Sequence, residues 1–228
     1  MTLRGTLLVV ILVELLYFGL TRVVVTHFGL ASMEGELLRT ALRLSSAGCL
    51  WYLMKPLILS KTPDFKPLRR LPFLLGAALF LLTPVIVGRY DLQPELAMLF
   101  AAASVPVGIK EEFLFRGIVQ NLLESRLGLL AAVIGTNLIF VVWHIGVLPA
   151  SVWTFSQVFL AGALLGLVYA KSGSIALAIA LHALYDAVLS FTPLIPQPFG
   201  ENWGFVPLSA ALLLIAYWAL SRGAAGRG

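Results

Sequence analysis

The stretch LQPELAMLFAAASVPVGIKEEFLFRGIVQNLL, residues 92–123, is apolar over most of its length yet carries Lys110, Glu111, Glu112 and Arg116. Its apolar residues run on without alternation, which reads as a helix rather than a strand. A helix crosses a hydrocarbon core about 30 Å thick with roughly 20 residues at about 1.5 Å each, so this one is long enough to project beyond it. Ionised side chains at that depth cost about 2.5–3.5 kcal/mol each on insertion scales, and are therefore paired, functional, or both. The same stretch thus points to a bundle of membrane helices and to the place where its chemistry should lie.

Composition agrees with that class. The 228 residues are 60% hydrophobic and 12% charged, with a mean hydropathy of +0.96, against about 25% charged for a soluble domain. The expectation is a single all-α polytopic bundle over 1–228, with strands excluded by the long continuous apolar runs. A lone Cys49 rules out an internal disulfide, and no Cys-x-x-Cys pair points to zinc or redox chemistry. The isoelectric point near 9.6 raises the question of nucleic acid. The basic residues, however, lie in short segments beside apolar runs, where they set membrane topology instead, so no nucleic-acid partner is expected.

Eight spans are expected, at approximately 5–26, 37–60, 71–88, 92–123, 127–147, 151–170, 174–193 and 205–221. An even count puts both termini on one side. Ten of the sixteen basic residues (Arg4, Lys55, Lys61, Lys66, Arg69, Arg70, Arg126, Lys171, Arg222 and Arg227) then share that side, against Arg22, Arg39, Arg43 and Arg89 on the other. This makes both termini cytoplasmic. The first span carries Glu14 and Arg22 and lacks a clear cleavage signal, so it is read as retained. Gly162-x-x-x-Gly166 offers a smooth face for close helix packing. Thr192 to Pro198, with three prolines, is read as a rigid extracytoplasmic loop, and the tail from Gly223 as disordered.

Three pairs of polar or aromatic residues recur at a spacing of four. Glu112 and Arg116 share a helix face, where an ion pair lowers the cost of burying both. Glu111 lies about 100° away around the helix and is the carboxylate left free. Phe140 and His144 project together from the fifth span. His182 and Asp186 do so from the seventh, where the carboxylate is placed to hydrogen-bond the imidazole and set its tautomer. Counted from the cytoplasmic ends at about 1.5 Å per residue, Glu111 lies roughly 20 Å deep, His144 about 25 Å, and His182 with Asp186 about 13–20 Å. Three helices therefore deliver polar groups to overlapping levels, which points to one site.

Glu111-Glu112-x-x-x-Arg116, Phe140-x-x-x-His144 and His182-x-x-x-Asp186, in that order on separate helices, resemble the CPBP family of CAAX-processing and bacteriocin-immunity-type intramembrane proteases. The resemblance covers roughly 92–192. It implies endoproteolysis of a membrane-associated protein or peptide, with Glu111 and His144 activating water as general bases and His182 stabilising the oxyanion. Glu112, Arg116 and Phe140 would support the framework. The family pattern has asparagine or aspartate at position 186; an amide donates to an oxyanion and an ionised carboxylate does not, so Asp186 is expected to orient His182. No cofactor is favoured. The alternative is a zinc metalloprotease with Glu111, His144 and His182 as ligands and water in the fourth position, although no His-Glu-x-x-His cassette is present. A proton-coupled transporter and a non-enzymatic immunity or scaffold protein stand as readings from other classes. The short loops look like those of a prokaryotic member, in the cytoplasmic membrane.

Overall fold

The computed structural model describes residues 3–87, 94–145, 151–191 and 201–221, and every regular element in them is helical. In chain order these are α1 (Leu3–Phe28), α2 (Met33–Ile58), α3 (Leu71–Val87), α4 (Pro94–Glu112), α5 (Asn121–Leu127), α6 (Leu129–Trp143), α7 (Val152–Ser172), α8 (Ile175–Phe191) and α9 (Phe205–Leu220), with short 3₁₀ turns at Lys66–Arg69 and Glu201–Gly204. A π-helical segment, Phe113–Gln120, joins α4 to α5 without a break, so the nine α-helices form eight rods at the expected positions. The Thr192–Pro198 loop and the tail from Gly223 lie outside the described residues.

Local sequence explains the ends. The Ser32 hydroxyl accepts from the Gly35 amide at 3.1 Å to start α2, whose first turn carries Glu34 and Glu36 where the helix dipole favours anions. Gly173 ends α7 at φ 65°, and a Cβ there would overlap the Thr62 carbonyl oxygen, so this turn requires glycine twice over. Helix α6 ends at Trp143, earlier than its expected limit of 147, with the His144 amide bonding the Val141 carbonyl at 3.0 Å. Gly146 and Pro149 follow within six residues, and such residues do not extend a helix.

Two apolar clusters flank a polar middle. Phe73, Phe80, Leu164, Val168, Leu181, Leu208, Ile215 and Trp218 pack α3, α7, α8 and α9 together. Leu50, Met54, Ile58, Leu114, Phe115, Ile118 and Phe140 pack α2 against the π segment and α6. Between them α4 lies along α8 and α2.

The distribution of polarity is the reverse of a water-soluble protein. Leu8, Leu15 and Leu16 on α1 are 58%, 63% and 65% exposed, while Glu14, Glu36, Arg39, Lys110, Glu112 and Arg116 are buried. A chain solvated by hydrocarbon is expected to turn its leucines outward and its charges inward. Two helices, Gly5–Phe28 and Val152–Ser172, are long and apolar enough to cross a membrane; four others are apolar but shorter.

Gly162 and Gly166 do more than smooth a face. Their carbonyls accept from Arg116 Nη2 at 2.7 Å and from Gln120 Nε2 at 2.9 Å, so α7 docks on the π segment through a polar ladder. A Cβ on Gly162 would overlap Asn137 Oδ1, and one on Gly166 would stand 2.9 Å from Gln120 Oε1. Gly162→Ala is expected to lower stability by about 1–3 kcal/mol, the usual cost of overpacking. Thermal unfolding in detergent should show the loss, and Asn137→Ala should relieve part of it.

Candidate active site

The polar middle is built on the α4–π junction. Glu111 and Glu112 are the last two residues of α4, and the π segment begins at Phe113. Such π turns occur frequently at functional sites. Glu112 and Arg116 are both fully buried, and Glu112 Oε1 meets Arg116 Nη1 at 2.9 Å. The same oxygen meets His182 Nδ1, from α8, at 2.7 Å. Arg116 continues to the Gly162 carbonyl, and its guanidinium carbon lies 5.1 Å from the centre of the Phe140 ring, a cation–π contact. One carboxylate and one guanidinium therefore join α4, the π segment, α6, α7 and α8.

His182 has carboxylates on both sides. While Nδ1 faces Glu112, Nε2 lies 3.4 Å from Asp186 Oδ2 and 3.9 Å from Glu111 Oε2. The short bond to the ring thus comes from Glu112 rather than from Asp186, which stands at the opposite nitrogen. Glu111 and Asp186 are partly open, with 15% and 30% of their side chains exposed, whereas Glu112 is closed off. Glu111 accepts no hydrogen bond from the described residues, so its oxygens remain available.

His144 caps α6 but keeps the orientation that its spacing implies. Its ring meets Phe140 edge to face at 4.5 Å, and Phe140 meets His182 in the same manner at 6.4 Å. The Phe140 ring thus stands between the two imidazoles. His144 Nδ1 lies 2.8 Å from the Phe140 carbonyl oxygen. A carbonyl only accepts, so Nδ1 carries the hydrogen and Nε2 presents its lone pair. Glu111, Glu112, Arg116, Phe140, His182 and Asp186 are gathered at one centre, and His144 joins it through Phe140.

Among the described residues, no three His, Cys, Asp or Glu side chains are disposed to hold a metal ion. His182 Nδ1 is engaged by Glu112.

Several buried partners were not legible as a site. Lys110 Nζ meets Glu14 Oε2 at 2.7 Å across 96 residues of sequence. Asn121 Nδ2 lies within 3.0 Å of the Leu57 carbonyl, the Gly117 carbonyl and the Tyr169 hydroxyl. The only advance signal was a lone charge or amide in an apolar run, which marks a residue in need of a partner without naming it.

A centre of carboxylates, imidazoles and a guanidinium is thus delivered by separate helices of a bundle with an apolar exterior. Residues 93–188 match the family model described as Rce1-like, type II CAAX prenyl endopeptidase, in accord with the CPBP resemblance. All seven residues singled out above lie within the match. No curated protein and no solved structure matches the chain.

Arg116→Ala would leave Glu112 buried without its cation, which typically costs about 3–5 kcal/mol. A large fall in melting temperature and accumulation is expected, with partial recovery in Glu112→Gln/Arg116→Ala. An Arg116→Ala protein that melts like the wild type would show that the pair does not hold the bundle.

Proposed function

We propose that this protein is an intramembrane endopeptidase of the glutamate-dependent type, which cleaves a membrane-associated protein or peptide with water activated by Glu111 and His144. The observation that carries this reading is the contrast between the two adjacent glutamates. Glu112 is fully buried and its Oε1 is engaged by both Arg116 and His182, while Glu111 is partly open, free of hydrogen bonds from the described residues, and 3.9 Å from His182.

The steps follow from these groups. Water bound between Glu111 and the free Nε2 of His144 gives up a proton as its oxygen attacks the scissile carbonyl. The C=O electrons move to oxygen, and a proton on His182 Nε2 hydrogen-bonds the resulting oxyanion. Glu112 favours that protonated ring by accepting from Nδ1, and Arg116 holds Glu112 in place. Collapse of the tetrahedral intermediate expels the amine, which takes the proton first removed from water. Position 186 sits beside Nε2, where Asp186 keeps the ring proton in line until substrate replaces it.

The family match supports an endopeptidase over a transporter or a non-enzymatic immunity protein. Its name supports a substrate tethered to the membrane by lipid, the short loops support a prokaryotic member, and the ten-to-four division of basic residues supports cytoplasmic termini. Zinc catalysis, with Glu111, His144 and His182 as ligands, is the competing mechanism.

In liposomes carrying an internally quenched, lipid-anchored peptide, Glu111→Gln, His144→Ala and His182→Ala should each lose at least about 100-fold in turnover, the usual loss when a base or oxyanion donor is removed. Each should still insert and melt as a folded protein. Near-normal cleavage by any one removes it from the catalytic set, and a wild type that cleaves no such peptide would leave transport or binding as the function.

Asp186→Asn is expected to keep substantial turnover, because an amide retains an acceptor for the ring and adds a donor toward the oxyanion; Asp186→Ala should lose most of it. Chelation with metal analysis separates the mechanisms. Activity retained in metal-free protein supports the glutamate reading, and joint loss of zinc and activity would replace it.

A further inference from the structure

Lys110 immediately precedes Glu111, and its ammonium is almost fully buried. It does not rest on that neighbour. Its Nζ donates to Glu14 Oε2 at 2.7 Å and lies 4.2 Å from the centre of the Tyr17 ring and 4.5 Å from that of Trp143. The other Glu14 oxygen, Oε1, accepts from Ser46 Oγ at 3.4 Å. The cation is thus held by α1 from one side, by α6 from the other, and by α2 through Ser46. Glu111 lies within electrostatic reach of Lys110, Glu14, Tyr17 and Arg43.

A buried ammonium stays charged only beside an anion. Two carboxylates are near enough to supply one, Glu14 and Glu111. An ion pair with Glu111 would occupy the oxygens that must bind water. Arg43 presents the same hazard and is met in the same way, since its guanidinium pairs with Glu36, which also binds Arg39 at 2.6 Å.

We propose that Glu14 is a positioning residue: by engaging Lys110 it withholds the ammonium from Glu111 and so keeps the glutamate free for catalysis. Helix α1, which lies outside the family match at 93–188, thereby becomes part of the working site. This inference rests on the reading of Glu111 as the base, but it predicts an asymmetry that a merely structural pair lacks. Removing Glu14 alone sets Lys110 on Glu111. Removing Lys110, or both, does not.

The test reads the state of Glu111 directly, without a substrate. Dicyclohexylcarbodiimide, which modifies accessible carboxyl groups in apolar surroundings and modifies ion-paired ones poorly, is applied to the full-length protein in native membranes. Adduct at Glu111 is then quantified by peptide mass spectrometry on the inserted fraction. Wild type, Lys110→Met and Glu14→Gln/Lys110→Met should label alike, whereas Glu14→Gln should label at least fivefold less. If Glu14→Gln does not insert, Glu14→Ser takes its place. Unchanged labelling in the Glu14 variant, or an equal fall in all three variants, overturns the proposal.

Cleavage of the lipid-anchored peptide supplies a second arm. Turnover should fall tenfold or more in Glu14→Gln with KM unchanged, and return to within about threefold of wild type in the double variant. Full activity in Glu111→Gln would instead remove the base assignment, an outcome distinguishable from failure of the Glu14 inference because the labelling result does not depend on it.

Discussion

One carboxylate oxygen, Glu112 Oε1, holds the bundle and its centre together. It takes Arg116 Nη1 at 2.9 Å and His182 Nδ1 at 2.7 Å, and Arg116 passes the connection to α7 through the Gly162 carbonyl. In a water-rich setting such a pair would contribute little. In an apolar interior each charge is tolerable only because the other is present, so the constraint is one of mutual necessity rather than of added stability. The same device orients the imidazole, which makes the structural carboxylate and the chemistry of His182 inseparable.

The interior extends this logic beyond the centre. Glu14 with Lys110 and Glu112 with Arg116 pair one charge with one, Glu36 holds both Arg39 and Arg43, and Gln120, Asn121 and Tyr169 add neutral hydrogen bonds between α5, the π segment and α7. Polar residues here perform the role that interdigitated leucines perform in soluble cores. Small residues are what make this possible: without the bare Cα atoms of Gly162 and Gly166, neither carbonyl would be within reach of its donor.

The helical class and the positions of the eight rods were legible because long apolar runs admit little else. The Glu112–Arg116 pair was legible because a spacing of four within one helix fixes a shared face. What spacing cannot give is a partner on another helix. The expectation that Asp186 is the orienting partner of His182 came from i,i+4 proximity, but Glu112, 70 residues away, makes the shorter bond. The Glu14–Lys110 pair escaped for the same reason, and the π segment, with Gly117 inside it, was read as continuous α-helix. The early end of α6 at Trp143 was visible in outline in Gly146 and Pro149, yet apolar residues on either side carried the expected span past it.

The short helices have a consequence for the surrounding lipid. Helices α6 and α9 have 15 and 16 residues, about 23–24 Å of rise at 1.5 Å each, against a hydrocarbon thickness of about 30 Å. A bilayer meets such a mismatch by thinning around the protein. In a bilayer that thins to match the short helices, headgroups and their water would stand several ångströms nearer the polar interior of the bundle.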